Sequence, residues 1–159
     1  VGCVMMLEQC RNAKERWGGV SDLIDRWLQE RQDLLSLFVA LPQQQLGAEL
    51  VELLHDFSQI MVDYASSWHF GVYEHLLAEA DEFNDGGLEL ARELDPRIRA
   101  TTDAVLTFSD NYSERKNLCV QDVAHLSRDL SELGELLAER FELEDQLIGS
   151  LHHAHKDRL

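Results

Sequence analysis

The chain has 159 residues, of which 45% are hydrophobic and 28% are charged, a composition typical of one globular domain rather than a disordered chain. Its 30 acidic residues against 14 basic ones give a formal net charge of −16, which disfavours direct binding to DNA, RNA or anionic membranes. The sequence contains no run of about 18 apolar residues, which is the length needed to span a membrane. A basic protein partner would be steered toward this chain, because opposite charges speed the encounter. The charge alone is better explained by a solvated acidic surface that keeps the protein soluble, so it does not identify a partner.

Composition also favours helices throughout. Pro42 and Pro96 are the two prolines, and no segment alternates apolar and polar residues over the length of a strand with β-branched enrichment. The cysteines Cys3, Cys10 and Cys119 are widely spaced, which fits a reducing cytoplasm and argues against a disulfide framework or a zinc site. We predict an all-α cytoplasmic protein.

The N-terminal part is predicted to contain an extension and a short helix. Residues 1–5 are expected to be a disordered extension, and residues 6–159 a single helical domain. A short helix is plausible over residues 6–17, and Gly18 and Gly19 form a strong stop signal after it.

A helix from the N-cap residue Ser21 to about Leu41 is predicted next. Its expected inward face, stepping by three and four residues, is Ile24, Trp27, Leu34, Phe38 and Leu41. Arg31 falls on the same stripe. An unpaired buried charge costs several kcal/mol, so Arg31 needs a partner.

The following helix is predicted to carry an irregularity near its centre. Its expected apolar face is Leu46, Leu50, Leu53, Leu54, Phe57, Ile60, Met61 and Tyr64. Ser66 and Ser67 then precede residues 68–71, which end in a glycine, so the helix is expected to bend or restart there. Asp63 lies just before this joint and His69 and Phe70 lie within it, which suggests a recognition surface. The alternative interpretation is a helix break with ordinary core aromatics.

The C-terminal half is predicted to contain three further helical segments. Residues 84–87 read as a loop, residues 88–94 as a short helix broken at Asp95 and Pro96, and Pro96 as the first turn of the next helix. The longest helix is expected from about Val120, with its acidic residues, Glu144 among them, on the outer faces and Arg140 paired to Glu144. These segments predict an antiparallel, up-down-up-down four-helix bundle with short additional helices.

Motifs for catalysis or metal binding are weak. Glu52 and His55 have the Glu-x-x-His spacing of di-iron bundles. The apolar residues between them are expected to face the core, which turns Glu52 and His55 toward the side of the helix. His69 has Gly71 nearby but no basic neighbour in sequence to stabilise a transferred phosphate. We predict no enzyme activity, no metal and no cofactor. A ligand- or metal-holding bundle or a phosphorelay module is the alternative function.

Three stretches together resemble a known family. They are residues 23–28 with Arg31; residues 62–66 with His69, Phe70, Tyr73 and Glu74; and residues 130–134 with residues 138–141 and 143–145. This pattern resembles the Rsd/AlgQ family of regulators of sigma D, and residues 6–20 look closest to its pseudomonad AlgQ-type branch. The resemblance covers residues 6–151.

The resemblance implies an anti-sigma factor that binds the primary sigma factor of RNA polymerase, chiefly its C-terminal domain, which reads the −35 promoter element. Bound sigma would be withheld from core polymerase, and the pseudomonad branch would also regulate alginate and siderophore genes. The implied contact residues are Asp63 and Phe70, supported by His69 and Tyr73. Asp63 would contact a basic residue of sigma and Phe70 would be an aromatic anchor. Tyr73 is alternatively a core residue, and self-association is left open.

Two further expectations concern the surroundings of this surface. Asp25, Arg26, Trp27, Arg140 and Glu144 also match the family pattern, and we assign them to internal polar and aromatic packing. At position 68, where relatives commonly carry glycine, this chain has a tryptophan. We expect an exposed indole of Trp68 that reshapes the contact surface.

Overall fold

The computed structural model describes residues 22–83 and 87–157, with side chains described except at residues 79–83, 87 and 151–157. The predicted extension at residues 1–5, the helix at 6–17, the N-cap at Ser21 and most of the loop at 84–87 lie outside the described residues. The five α-helices of the described part are α1 (Asp22–Ala40), α2 (Ala48–Ser67), α3 (Tyr73–Phe83), α4 (Gly87–Tyr112) and α5 (Val120–Asp157). A short 3₁₀ turn, Leu41–Gln43, follows α1, and a π-helical turn, Trp68–Val72, joins α2 to α3. The described ranges contain no strand, so the all-α prediction is confirmed.

Ring contacts and hydrogen bonds show that neighbouring long helices run antiparallel. Between α1 and α2, Phe38 packs on Phe57 and Trp27 packs on Tyr64, so residue numbers rise along one helix as they fall along the other. The same order holds for Phe57–Phe108 and His69–Thr102, which join α2 and the π-helical turn after it to α4. It also holds for Thr101–Arg140 and Tyr112–Asp129 between α4 and α5. Each pair therefore packs along its length.

The core is built from the apolar stripes that the sequence predicts. All five residues of the predicted inward face of α1 are buried. On α2 the buried apolar residues are Leu50, Leu54, Phe57, Met61, Tyr64 and Ala65. Leu46 is different: it lies in the connection before α2 and is 46% exposed, so its assignment to the inward face is wrong.

Trp68 is buried at the centre of an aromatic cluster. Its exposed fraction is 0%, and its ring centroid lies 5.2 Å from that of Trp27, which in turn stacks on Tyr64 at 5.4 Å. The expectation of an exposed indole is therefore wrong. The physical reason is helical spacing: Trp68 follows Met61, Tyr64 and Ala65 by seven, four and three residues, which places all four on the inward face.

The π-helical turn lies where the sequence predicts an irregularity. The backbone N–H of Tyr73 donates to the carbonyl of Trp68, five residues earlier, so the turn holds one more residue than an α-helical turn. Ser67 keeps a helical backbone and its side chain makes no capping hydrogen bond. The predicted restart capped by serines is therefore wrong, and the helical path continues into α3.

Pro96 lies inside a continuous helix. The predicted break at Asp95 and Pro96 is wrong, because α4 runs from Gly87 to Tyr112. Asp95 accepts a hydrogen bond from Arg99 Nε at 2.7 Å instead of capping a new helix. Pro96 and Arg92 are exposed, so the carbonyl that loses its N–H partner faces water, and the helix tolerates the proline there.

Among the described helices, none is both long enough and apolar enough to cross a membrane.

Two residues of the π-helical turn, Trp68 and Phe70, should differ sharply in their effect on stability. Trp68→Ala is expected to lower the free energy of unfolding by about 3–5 kcal/mol, because it leaves a cavity in the aromatic cluster. Phe70→Ala should change it by less than about 0.5 kcal/mol, because this ring is 77% exposed. Urea titrations followed by circular dichroism give both values. Equal losses in the two variants would contradict the placement of Trp68.

Candidate partner-binding surface

The four residues expected to contact a partner follow one another along the end of α2, the π-helical turn and the start of α3. Asp63 is exposed, and Phe70 is 77% exposed. Seven residues, close to two helical turns or about 10 Å, separate them along the helix. Residues at this spacing project from nearly the same side of an α-helix, and the wider π-helical turn rotates Phe70 by part of a turn from that position. An acidic group and an unusually exposed aromatic ring thus form one face.

His69 and Tyr73 are half-buried and connect this face to the interior. His69 Nε2 lies 2.9 Å from the hydroxyl of Thr102 on α4. The Tyr73 ring centroid lies 6.0 Å from that of Trp68. The structure therefore separates the four residues into two that are exposed, Asp63 and Phe70, and two that are half-buried, His69 and Tyr73.

Both half-buried side chains are held in their neutral forms at neutral pH. Burial lowers the pKa of the His69 imidazole, and the nearby guanidinium of Arg140 lowers it further. Burial raises the pKa of the Tyr73 phenol, and the carboxylate of Asp95 acts in the same direction. Charge on this face therefore comes from Asp63 and its acidic neighbours.

An acidic strip extends from Asp63 along the seam between α1 and α2; we define it as Glu30, Asp33, Asp56 and Asp63. Burial raises the pKa of Glu30, and Asp63 and Asp33 raise it as well, whereas the Ser67 hydroxyl and Arg26 oppose the shift. Asp33 and Asp56 line a shallow groove of about 440 Å³ whose apolar floor contains Leu37 and Ile60. The strip gives this side of the molecule a negative field.

Behind the surface, the buried cation Arg31 has the partners that the sequence demands. Its Nε donates to Tyr64 Oη at 2.9 Å, its Nη1 to Asp145 Oδ1 at 2.9 Å and its Nη2 to Glu144 Oε1 at 3.4 Å. The guanidinium carbon also lies 4.5 Å from the ring centroid of Trp27 and 4.7 Å from that of Phe141. These contacts compensate the loss of water around the charge.

Glu144 is the acceptor shared by both buried arginines. Tyr64 Oη donates to its Oε1 at 2.6 Å, and Arg140 Nε donates to its Oε2 at 3.2 Å. Burial raises the pKa of Glu144, and Arg140 and Arg31 oppose that shift. The predicted i,i+4 pair is confirmed, but its predicted place on the outer face is wrong. Glu144 follows Phe141 by three residues and Leu137 by seven, so it belongs to the inward stripe.

Arg140 extends these contacts to α4. Its Nη1 donates to Thr102 Oγ1 at 2.6 Å, to Thr101 Oγ1 at 3.1 Å and to the Ile98 carbonyl at 3.4 Å. We define the buried polar network as Arg31, Tyr64, Thr101, Thr102, Arg140 and Glu144. It joins α1, α2, α4 and α5, and His69 attaches to it through Thr102.

The residues assigned to internal packing from the sequence include only part of this network. The internal roles of Trp27, Arg140 and Glu144 are confirmed, and Asp25 is half-buried. Arg26 is exposed and its Nε donates to the Asp22 carbonyl at 3.5 Å, so its assignment to internal packing is wrong.

Thr101 and Thr102 were not recognised as members of the network. The sequence does contain a signal: Thr102 repeats with Ile98, Val105 and Phe108 at helical spacing, so a polar residue lies on an otherwise apolar stripe.

The residues considered for metal or phosphate chemistry are not gathered into a site. Glu52 and His55 are both exposed, and His55 Nδ1 lies 2.9 Å from the Ser113 carbonyl. Within the described ranges, no cluster of three or more His, Cys, Asp or Glu residues could hold a metal ion. His69 does have basic neighbours in space, Arg140 and Arg99, so the argument from its sequence neighbours was wrong on that point. Arg140 is fully buried and bound to Glu144.

Comparison with known proteins agrees with the resemblance. The model of the family described as "Regulator of RNA polymerase sigma(70) subunit, Rsd/AlgQ" matches residues 6–152. The chain belongs to the Rsd/AlgQ family.

Relatives of this Rsd/AlgQ protein carry the name "Regulator of sigma D". The protein from Pectobacterium carotovorum is 36% identical over 148 residues, which cover 90% of this chain and 96% of the relative. That from Pectobacterium atrosepticum is 34% identical over 155 residues, or 92% of this chain and 99% of the relative. That from Yersinia pseudotuberculosis is 32% identical over 150 residues, or 90% and 87%.

Removal of the buried cation should destabilise the protein far more than removal of an exposed one. Arg31→Leu is expected to lower the free energy of unfolding by about 3–5 kcal/mol, because Glu144 loses a partner in a buried site. The control Arg97→Leu breaks an exposed pair with Glu139 at 3.4 Å and should cost less than about 1 kcal/mol. Urea denaturation at neutral pH measures both. If Arg31→Leu lowered the free energy of unfolding as little as the control does, the network would not make the proposed contribution to stability.

His69 should make stability depend on pH. Its pKa in the folded protein lies below the unfolded value of about 6.5, so its contribution is complete above about pH 6.5 and is lost as the pH falls through the folded-state pKa. Urea unfolding at a series of pH values below neutrality should therefore show a smaller loss for His69→Gln than for the wild type. The control His75→Gln replaces an exposed histidine of α3 and should follow the wild type. A wild-type pH profile in His69→Gln would refute the assignment.

Proposed function

We propose that this Rsd/AlgQ protein is an anti-sigma factor that binds the primary sigma factor of RNA polymerase, mainly its C-terminal, −35-reading domain. The observation that carries the proposal is the exposure of Phe70 beside Asp63, at the end of the acidic strip. The family description names the sigma(70) subunit, and the relatives' name, regulator of sigma D, supports the same partner.

Phe70 supplies the aromatic anchor. Its ring is 77% exposed, although the neighbouring Trp68 is fully buried. A large apolar side chain held on a helix loses little conformational freedom on binding, and aromatic anchors of this kind carry much of the energy of protein interfaces. The ring is therefore suited to an apolar pocket on sigma.

The acidic strip supplies the matching charge. A domain that reads the −35 element must contact DNA phosphates, so its recognition surface is basic. Glu30, Asp33, Asp56 and Asp63 present the opposite charge along one seam. Opposite charges steer the encounter and disfavour acidic competitors, and their effect falls as salt rises.

The mechanism that follows is occlusion. A sigma domain whose DNA-reading surface lies against this face cannot contact the −35 element, and the bound sigma is withheld from core polymerase. Polymerase is then available to alternative sigma factors. This mechanism needs no catalytic group, and the family description names a regulator rather than an enzyme. We propose no enzyme activity and a cytoplasmic location, where polymerase acts.

The scaffold behind the surface is proposed to be an up-down-up-down four-helix bundle with the short turns as additions. The antiparallel contacts of α1 with α2, of α2 with α4 and of α4 with α5 support it, as does the buried polar network that ties all four helices together. If the chain belongs to the pseudomonad branch, as residues 6–20 suggest, its regulatory targets would include alginate and siderophore genes.

Substitutions at the surface should weaken sigma binding without unfolding the protein. Asp63→Ala or Phe70→Ala is expected to weaken binding of the isolated C-terminal sigma domain by at least about tenfold, because each removes one contact of the proposed interface. Isothermal titration calorimetry at low and moderate salt measures the loss, and wild-type affinity should fall with salt.

Matched controls lie on α4. Asp103→Ala and Leu106→Ala replace an exposed acid and an exposed apolar residue, and both should bind as the wild type does. If Asp63→Ala and Phe70→Ala also bind as the wild type, the site lies elsewhere. If folded wild-type protein binds no sigma domain, the anti-sigma proposal fails.

A further inference from the structure

A second surface lies far from Phe70, where the C-terminal end of α1 faces the N-terminal half of α5. A groove of about 650 Å³ opens there. Its largest apolar lining residues are Phe38, Leu41, Leu50, Val123, Leu126 and Leu130. Leu50 and Phe70 are twenty residues apart on one helical path, or about 30 Å at the α-helical rise. The α1–α5 groove is therefore separate from the proposed sigma-binding face.

The α5 wall of the groove carries short side chains. Ser127, Ser131 and Ala138 line it, and helix axes approach more closely where the facing side chains are short, so these positions can admit a further helix. Gly134 is different: a Cβ there would come within 2.9 Å of Phe38 Cζ, so its lack of a side chain accommodates Phe38 of α1.

The apolar lining continues beyond the groove. Val120 lies one helical turn before Val123 and is 77% exposed. From Val123 to Ala138 the wall measures about 22 Å, which is the length of a helix of about 15 residues. The groove therefore has the length of about four turns of a helix. Five of its apolar lining residues (Phe38, Leu41, Leu50, Leu126 and Leu130) are themselves buried, so Val120 and Val123 supply the more exposed apolar side chains at its end.

Charge around the groove indicates what kind of helix fits. Glu135 lies on its rim. Gln44 is shared with an adjoining depression lined by Glu49, Glu52 and Asp56.

Arg128 follows the lining residue Ser127 in sequence, and its Nη2 lies 2.6 Å from His125 Nδ1. An apolar face with basic flanks complements this surface.

We propose that the α1–α5 groove docks an amphipathic helix of another protein, with apolar residues at i, i+3, i+4 and i+7 and with Lys or Arg along its flanks. A second copy of this chain is disfavoured as occupant, because each copy carries a formal net charge of −16.

The probe is a fluorescein-labelled helical peptide of about 15 residues made of Leu, Lys and Ala, with leucines on one face. A scrambled peptide of the same composition, with leucines on all faces, is the control ligand. Fluorescence anisotropy with the full chain at moderate salt is expected to show tighter binding of the amphipathic peptide. Ser131→Trp should weaken that binding by at least about tenfold, since the indole fills the groove.

The matched control variant is Thr107→Trp. Thr107 and Ser131 are both exposed on helices, and each donates its hydroxyl to the carbonyl four residues earlier, at 2.9 and 3.1 Å. Thr107 lies on α4, outside both the α1–α5 groove and the acidic strip, so Thr107→Trp should leave peptide binding unchanged. Ser131→Trp should bind the C-terminal sigma domain as the wild type does.

Several outcomes would overturn the proposal. Equal effects of both variants, or equal binding of both peptides, would mean adsorption by charge alone. A wild-type dimer that Ser131→Trp dissociates in sedimentation would assign the groove to a second copy. Faster hydrogen exchange of residues 1–21 in Ser131→Trp would assign it to this chain's own N-terminal segment. Absence of peptide binding, or loss of sigma binding in Ser131→Trp, would also refute a separate helix-docking site.

Discussion

The arrangement of the rest of the structure depends on the hydrogen-bond acceptors of one buried cation, Arg31. Its guanidinium must find acceptors inside the protein, because a charge left without them in the interior costs several kcal/mol. Tyr64, Glu144 and Asp145 provide these acceptors from α2 and α5, and Arg140 links the same carboxylate to α4. Apolar side chains alone tolerate a shift of one helix along another. The hydrogen bonds of the network are lost by such a shift, so we infer that the network fixes the relative register of the four helices.

The network also explains how a surface of only a few residues can be rigid. Phe70 sits in a π-helical turn, which is less regular than the α-helices on either side. Trp68 anchors the start of that turn in the aromatic cluster, and His69 is held by Thr102. The two residues that precede the exposed ring are thus both held by contacts with the interior. A preorganised anchor loses less freedom on binding, which favours affinity.

Periodicity predicted most of the fold, because apolar stripes at helical spacing depend on local sequence. The same spacing places Trp68 and Glu144 on the inward face. The expectation that both are exposed rested on their chemical types, an amphipathic indole and a carboxylate. Pro96 shows the opposite limit: whether a proline breaks a helix depends on whether the freed carbonyl meets water, which is a tertiary property. The partners of Arg31 are likewise set by packing across 33 to 114 residues, which no local pattern encodes. For the candidate site, exposure of Phe70 agrees with the sequence expectation, whereas the half-burial of His69 and the acidic strip required the structure.

The long sequence separation within the network has a consequence for synthesis on the ribosome. Arg31 and Glu144 are 113 residues apart, so a growing chain that has produced α1 and α2 carries the cation without its buried carboxylate. At that stage Tyr64 is available to Arg31, but the register of the helix pair is not yet fixed. The last helix to emerge completes the network. The surface formed by α2 and the π-helical turn is therefore synthesised well before the helix that fixes its register, and it becomes rigid only after α5 has been made.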